Sequence, residues 1–231
     1  MIAPAKGKGL SMDDRYLYDR QYFQTHYAHD LRRDTMYLQE YERIYERAPL
    51  AGKVLDVGCG VGNFLTLFDY RWKCYGYEPS NYAAEQASNR GVTMVTFLDR
   101  LDSESMDVVI FRGTIQHINH PMRDIEQATR VLKPGGLLAF LATPNSESIV
   151  YKTFGTLPAL DPSRNWIIFG EKMLKNILFR MNYKNIETIF PYSGTPYARP
   201  LRDCFNFAAS LLFGYRSFAW PKNMMEVYGT K

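Results

Sequence analysis

Three closely spaced glycines follow a short apolar segment in the first third of the chain, a pattern that lets a backbone approach a ligand. They are Gly58, Gly60 and Gly62, and Asp56 precedes them. Glycine tolerates positive φ and has no side chain to keep a ligand away. The spacing is not the G-x-G-x-x-G of dinucleotide folds, and no Lys-Ser/Thr completes a P-loop. Because a carboxylate would repel a pyrophosphate, Asp56 favours a ligand with a cationic amino group.

A second acidic residue, Glu78, closes the next apolar segment, 22 residues after Asp56. A carboxylate at the end of that strand can accept hydrogen bonds from both hydroxyls of a ribose. The glycine loop and Glu78 together therefore indicate a ligand that contains a ribose and an amino group.

The four histidines form two H-x-x-H pairs, His26/His29 and His117/His120. No nearby carboxylate or cysteine completes a metal-ligand set, so we expect no metal. His117 follows the fourth predicted strand, at the sheet edge where ligands bind in open α/β folds. It could act as a general base, or it could cap a helix or pack beneath the ligand.

Short apolar strands alternate with helices between residues 50 and 145, which predicts a mostly parallel sheet covered on both faces. The predicted strands are 53–57, 73–77, 92–97, 106–111 and 137–142, and the predicted helices are 63–70, 82–90 and 123–132. A helix is expected before this region, over 13–48. After it we expect a long loop at 145–168, a helix at 170–181 and a strand at 185–190.

Length and composition indicate one globular domain, with 231 residues of which 46% are hydrophobic and 23% charged. The net charge of +4 is mild and no basic run is present, so nucleic acid is not an expected partner. The chain shows neither a signal peptide nor the ~20-residue apolar stretch of a membrane helix. We therefore expect a soluble cytoplasmic protein without a transmembrane segment, either a monomer or a homodimer.

The ordered motifs resemble those of class I S-adenosylmethionine-dependent methyltransferases. The segments that carry the resemblance are Asp56–Gly62, Glu78, 107–111 and the Lys-Pro-Gly-Gly turn at 133–136. The sequences of residues 116–121 and 142–145 are similar to those of the small-molecule branch that includes the ubiquinone-pathway O-methyltransferases. The resemblance spans residues 50–145. It implies a Rossmann-like α/β fold with seven strands, whose antiparallel C-terminal hairpin could come from 185–190 and 224–228.

The resemblance also implies the cofactor, S-adenosyl-L-methionine, with S-adenosyl-L-homocysteine as product. Gly58 and Gly60 would line its methionine part, Glu78 would bind its ribose, and Leu98 and Asp99 would lie beside its adenine. Arg112 and Gly113 would offer backbone contacts. The residues expected to bind the cofactor are Asp56, Gly58, Cys59, Gly60, Glu78, Pro79, Leu98, Asp99, Arg112 and Gly113. Gln116 stands where ubiquinone-type relatives have Glu before the His, which puts the catalytic role of His117 in question.

Aromatic residues concentrate in the flanks of this central region. Tyr18, Tyr22 and Phe23 resemble the N-terminal segment that folds as a lid over cofactor and substrate in sugar and small-metabolite methyltransferases. The other interpretation is a helix packed against the sheet. We expect residues 1–49 to form this helical lid, 50–145 the cofactor-binding core, and 146–231 the rest of the sheet with an acceptor-side extension, all within one domain.

The sequence of the C-terminal region predicts a largely apolar helix after residue 204. Residues 205–219 could belong to the core, to a dimer face or to a membrane-interface segment. We expect methyl transfer to O or N of a small molecule, with a sugar or polysaccharide precursor favoured. The alternatives are a quinone or aromatic O-methyltransferase and a non-catalytic binding subunit with the same fold.

Overall fold

A single seven-stranded sheet organises the computed structural model, which describes residues 18–26, 31–158 and 160–231. The strand order is β3-β2-β1-β4-β5-β7-β6. Strands β1 to β5 pair in parallel, whereas β7 runs antiparallel to both of its neighbours. The strands are β1 Gly52–Val57, β2 Trp72–Tyr77, β3 Thr93–Val95, β4 Met106–Arg112, β5 Leu132–Pro144, β6 Lys184–Ile189 and β7 Met224–Thr230. The predicted Rossmann-like fold with a C-terminal antiparallel hairpin is confirmed.

Helices and buried side chains cover both faces of the sheet. On one face Leu55, Val109 and Phe140 pack with Ile125 of α4. On the other face Val54, Val108 and Ile110 pack with side chains of α2. The helices are α1 Arg20–His26, α2 Leu31–Tyr45, α3 Asn81–Asn89, α4 Pro121–Val131, α5 Ile149–Phe154, α6 Glu171–Arg180 and α7 Pro200–Phe213. None of the helices in these described ranges is long and apolar enough to cross a membrane.

The predicted helix at 63–70 is wrong, because only a short 3₁₀ turn, Leu65–Leu67, follows the glycine loop. Phe68 adopts an extended conformation there, and its ring packs edge-on against Tyr41 and Trp72. The aromatic packing of α2 thus takes the place of a longer helix on this face of the sheet.

Three other boundaries differ from the sequence prediction. The N-terminal helix is two helices, α1 and α2, in the described part of 13–48. The predicted loop at 145–168 contains α5, which begins with a hydrogen bond from the Tyr151 N–H to Ser148 Oγ and ends at Gly155 with φ +69°. The Lys-Pro-Gly-Gly turn is an irregularity within β5 rather than a break before it.

Ion pairs attach α2 to the far strands of the sheet. Arg43 Nε donates to Glu226 Oε2 on β7 at 2.6 Å, and Arg47 Nη2 donates to Glu187 Oε2 on β6 at 3.0 Å. The Glu226 side chain is fully buried, so its pairing with Arg43 compensates the loss of solvation. These contacts tie the end of α2 and the turn that follows it to the antiparallel strands β7 and β6.

Candidate functional site

The glycine loop turns sharply at the end of β1 and is held against β2. The N–H of Gly58 donates to Tyr77 O at 2.7 Å, and the Cys59 N–H donates to the same carbonyl at 3.2 Å. Gly58 has φ +82°, and a Cβ added there would lie 2.3 Å from Thr114 Cγ2. Position 58 therefore admits only glycine for two independent reasons, backbone conformation and space.

Glu78 links the loop to the end of β2. Its Oε2 accepts from the Gly60 N–H and its Oε1 accepts from the Ser80 N–H, both at 2.9 Å. Burial raises the pKa of Glu78, while these two backbone donors favour its charged form. Each carboxylate oxygen retains a second lone pair, so Glu78 can accept further hydrogen bonds from hydroxyl groups.

Asp56 is buried beneath the loop, with 2% of its surface exposed. Its Oδ1 has no hydrogen-bond partner among the described residues. Burial raises the pKa of Asp56 to about 7, and the charge of Arg112 opposes that rise. A buried carboxylate oxygen without a partner is a site that a bound cation or N–H donor would stabilise.

A cavity of about 390 Å³ opens over the loop at the ends of β1, β2 and β4. The predicted site residues in its wall are Tyr18, Tyr22, Phe23, Gly58, Gly60, Glu78, Pro79, Arg112, Gly113 and His117. Four other predicted residues do not belong to this wall. Asp56 lies below it, Cys59 packs against Gly76, Leu98 is buried in the core, and Asp99 is exposed. Their contacts with a cofactor stay predictions.

The aromatic segment at the N-terminal end of the described chain closes one side of this cavity. Tyr18 O accepts from Ser80 Oγ at 2.8 Å, and Phe23 packs with Val61 and Ala83. The guanidinium of Arg164 lies 4.6 Å from the ring centroid of Tyr22. Packing and cavity lining thus coexist in this segment, and its opening and closing as a lid stays a prediction.

His117 has a partner at each ring nitrogen. Nδ1 lies 3.0 Å from Arg164 O, and Nε2 lies 3.2 Å from Gln116 Nε2. The arrangement is that of a neutral imidazole that donates from Nδ1 and accepts at Nε2. Burial lowers the pKa of His117, which also favours the neutral form. To act as a base, His117 would have to exchange the contact with Gln116 for one with a substrate.

The described chain contains no group of three or more His, Cys, Asp and Glu residues that could hold a metal ion. The predicted pair His26/His29 falls outside this statement, since the His26 side chain and all of His29 lie outside the described residues.

Comparison with known proteins decides the family. Residues 26–188, more than half of the chain, match the family described as a methyltransferase domain. The chain belongs to this family. An uncharacterised protein of Methanocaldococcus jannaschii is 25% identical to the methyltransferase over 164 residues, which are 68% of this chain and 78% of that protein.

Solved structures share the fold of the methyltransferase. A possible histamine N-methyltransferase of Thermotoga maritima, described as SAM-dependent, has a TM-score of 0.62 at 21% identity, covering 94% of this chain and 97% of its own. Phosphoethanolamine N-methyltransferase 2 of Haemonchus contortus has a TM-score of 0.64 at 18% identity. The match covers 97% of this chain and 61% of the Haemonchus chain, which was solved with phosphomonomethylethanolamine and S-adenosylhomocysteine. The predicted membership of the class I methyltransferases is confirmed, whereas the ubiquinone or sugar branch stays a prediction.

The residues of the first cavity fit the S-adenosylmethionine of this class. The Oδ1 of Asp56 lacks a partner that an ammonium group would supply. Glu78 has lone pairs left for two hydroxyls, and Gly58 lines the cavity without a side chain that would enter it. These three structural features agree with the cofactor that the sequence predicted.

Sequence reasoning missed the side chain of Arg112. Only its backbone was expected at the site, yet its Nε donates to Glu40 Oε2 at 2.6 Å and its guanidinium lies 4.0 Å from the ring centroid of Tyr37. Burial raises the pKa of Glu40, and Arg112 opposes this. One signal was present in the sequence, because Glu40 lies on the buried stripe of α2 between Tyr37 and Ile44.

A second cavity, of about 630 Å³, also has Arg112 in its wall. Its wall combines α2, the segment 191–199, the first turns of α7 and residues 217–224. Arg112 lines both cavities. The two cavities of the methyltransferase therefore share a wall residue, and most of the second wall comes from parts of the sequence that carried no motif.

Proposed function

We propose that this chain transfers a methyl group from S-adenosylmethionine to an oxygen or nitrogen of a small molecule. The single observation that carries the proposal is that Arg112 lines both cavities, so the two lie next to each other. The first cavity provides the cofactor site and the second holds the acceptor. We favour a sugar or polysaccharide precursor as acceptor, because the N-terminal aromatic segment resembles the lid of such methyltransferases.

Methyl transfer requires little covalent catalysis by the protein. When bound, the cofactor supplies an activated methyl group on a sulfonium, so the protein has to orient the acceptor and exclude water. Asp56 would hold the amino group and Glu78 the ribose, while Tyr18 and Tyr22 cover the cavity. Arg112, fixed by Glu40 and Tyr37, forms the boundary at which an acceptor atom would meet the first cavity.

A hydroxyl acceptor also needs a place for its proton, and His117 is our candidate for that role. Its neutral form has the lone pair that a base requires. In the structure Gln116 occupies the position facing that lone pair, at 3.2 Å. Substrate binding would have to move the Gln116 amide, whereas a nitrogen acceptor that is already neutral would need no base.

Calorimetry with S-adenosylhomocysteine tests the cofactor site directly. We expect binding by the intact chain, a loss of binding in Gly60→Arg, and a large loss in Glu78→Ala. Glu85→Ala is the matched control, because Glu85 is an exposed glutamate on α3 outside the cavity wall. Absence of binding by the intact chain would overturn the proposal.

Two alternatives differ in what an activity screen would find. A quinone or aromatic O-methyltransferase would methylate phenolic acceptors and leave sugars unchanged. A non-catalytic subunit would bind the cofactor and transfer no methyl group to any sugar, phenol or amine. Methyl transfer from labelled cofactor across these three acceptor classes separates the possibilities.

A further inference from the structure

The second cavity has an excess of positive charge in its wall. Four arginines and two carboxylates line it, so its formal charge is +2. The arginines are Arg33, Arg112, Arg199 and Arg202, and the carboxylates are Glu40 and Asp203. A cavity of this charge would attract an anionic ligand.

Two of these arginines stand together at the start of α7. Arg199 directly precedes the helix, and Arg202 follows three residues later, on the same side. Both side chains line the cavity and both residues are exposed. Within residues 18–26, 31–158 and 160–231, no carboxylate forms an ion pair with either guanidinium. Their donors are available to a ligand.

The two carboxylates are already engaged. Glu40 pairs with Arg112 at 2.6 Å. Asp203 is buried, and its Oδ2 accepts from Tyr192 Oη at 2.9 Å and from the Arg199 N–H at 2.8 Å. The bonds at Asp203 fix the segment before α7 and hold the backbone of Arg199 in place. The arginine pair is thus mounted on an ordered part of the wall.

We propose that the second cavity takes an acceptor bearing a phosphate or diphosphate group, which Arg199 and Arg202 bind. This inference rests on the proposed function and names the class of its acceptor. A guanidinium offers planar, paired donors that match phosphate oxygens, and a dianion can satisfy two guanidinium groups at once. The formal charge of +2 on the wall would balance the −2 charge of such a dianion.

The remaining wall suits the organic part of the acceptor. Trp220 lines the cavity and stacks on Phe207 with ring centroids 4.7 Å apart, which fixes the orientation of the indole. Tyr192 and Phe218 add further aromatic surface. With its phosphate at Arg199 and Arg202, an acceptor would extend past these rings toward Arg112, where the two cavities meet.

The phosphate could belong to a soluble metabolite or to a lipid-linked compound. The outer face of α7 bears on this choice, since Leu201, Phe205 and Leu212 are exposed to 91%, 68% and 76%. This apolar face begins next to the arginine pair. The chemistry recognised by the arginines is the same in both cases, so the test has an arm for each source.

The probe for the shared chemistry is inorganic pyrophosphate, titrated into the full chain by calorimetry. We expect binding that weakens with added salt and falls at least about tenfold in the double variant Arg199→Gln/Arg202→Gln. Arg180→Gln is the matched control, because Arg180 is exposed at the end of α6, outside the cavity wall. The inference would be overturned if the intact chain did not bind pyrophosphate, or if the double variant bound it as tightly as the intact chain does.

S-adenosylhomocysteine is titrated into the same preparations. Its affinity should be unchanged in the double variant, which shows that the variant is folded. Cofactor binding without pyrophosphate binding rejects the phosphate site alone, whereas loss of cofactor binding in the intact chain rejects the proposed function itself.

The source of the phosphate is decided by flotation with vesicles of phosphatidylcholine, with and without phosphatidic acid. The variant Leu212→Glu tests the apolar face. The site is assigned to a lipid-linked acceptor if the chain floats with the vesicles only when phosphatidic acid, both arginines and an intact apolar face are present. Pyrophosphate binding without vesicle retention assigns it to a soluble one.

Discussion

Glu40 on α2 and Arg112 at the end of β4 form an ion pair, 72 residues apart in the chain, and both line the second cavity. The Arg112 Nε lies 2.6 Å from Glu40 Oε2, and the Glu40 side chain is 1% exposed. A buried carboxylate is tolerated only when a partner replaces its lost hydration. The pair therefore ties α2 to the end of β4 and orients the Arg112 side chain beside the second cavity.

Glu40→Gln should lower the free energy of unfolding by about 3 kcal/mol, because it leaves Arg112 without its buried counter-charge. Denaturant unfolding measures the change. Glu42→Gln is the matched control, being an exposed glutamate on the same helix, and should stay within about 0.5 kcal/mol of the unaltered chain. Equal stability of the two variants would contradict the assigned role of the pair.

Gly58→Ala should abolish S-adenosylhomocysteine binding and lower the melting temperature. The new Cβ would lie 2.3 Å from Thr114 Cγ2, on a residue with φ +82°. Gly91→Ala separates the two causes, since Gly91 has φ +86° and no atom within 4 Å of an added Cβ. That control should show only the cost of left-handed backbone, about 1 kcal/mol, with binding retained. Similar behaviour of both variants would mean that space at Thr114 is not the constraint.

Cofactor binding should tighten as the pH rises through about 7, because the pKa of Asp56 is raised to about 7 and the cationic amino group selects its ionised form. In the free protein the same raised pKa has the opposite effect on folding stability, which falls as the pH rises. The folded state binds more protons than the unfolded state between about pH 4 and 7, so this carboxyl's contribution to stability declines over that window.

Calorimetry of S-adenosylmethionine across this range, with Asp56→Asn beside the unaltered chain, measures the effect. Asp56→Asn should remove both dependences. Methylthioadenosine, which lacks the amino acid portion, is the control ligand and should bind with little dependence on pH. A pH profile shared by both ligands would place the titrating group elsewhere.

His117→Ala should reduce kcat by about 100-fold or more if His117 is the base, with the affinity for S-adenosylhomocysteine unchanged. Because burial lowers the pKa of His117, its neutral form should persist below the ordinary value of 6.5. The kcat of the unaltered enzyme should then fall only on the acid side of that value. Unchanged turnover with unchanged cofactor binding would assign His117 to packing.

The glycine-loop side of the candidate site could be predicted from the sequence because its residues belong to short, continuous segments. The loop from Asp56 to Gly62 and the carboxylate of Glu78 belong to two strand ends, and hydrophobic periodicity places those strands without reference to the rest of the chain. In contrast, the predicted helix at 63–70 was lost to packing. Nothing in its own sequence shows that Tyr41 and Trp72 would hold Phe68 in an extended conformation.

The sequence by itself determined the α/β fold and the place of the glycine loop, since short-range spacing encodes both. The methyltransferase class followed from the resemblance of its ordered motifs to that family. Only the tertiary structure decided the partner of Glu40, the second cavity and the arginine pair beside it. Those features join residues from α2, β4, α7 and the segments around α7. Their contacts depend on which surfaces the core brings together, and no local pattern records that choice.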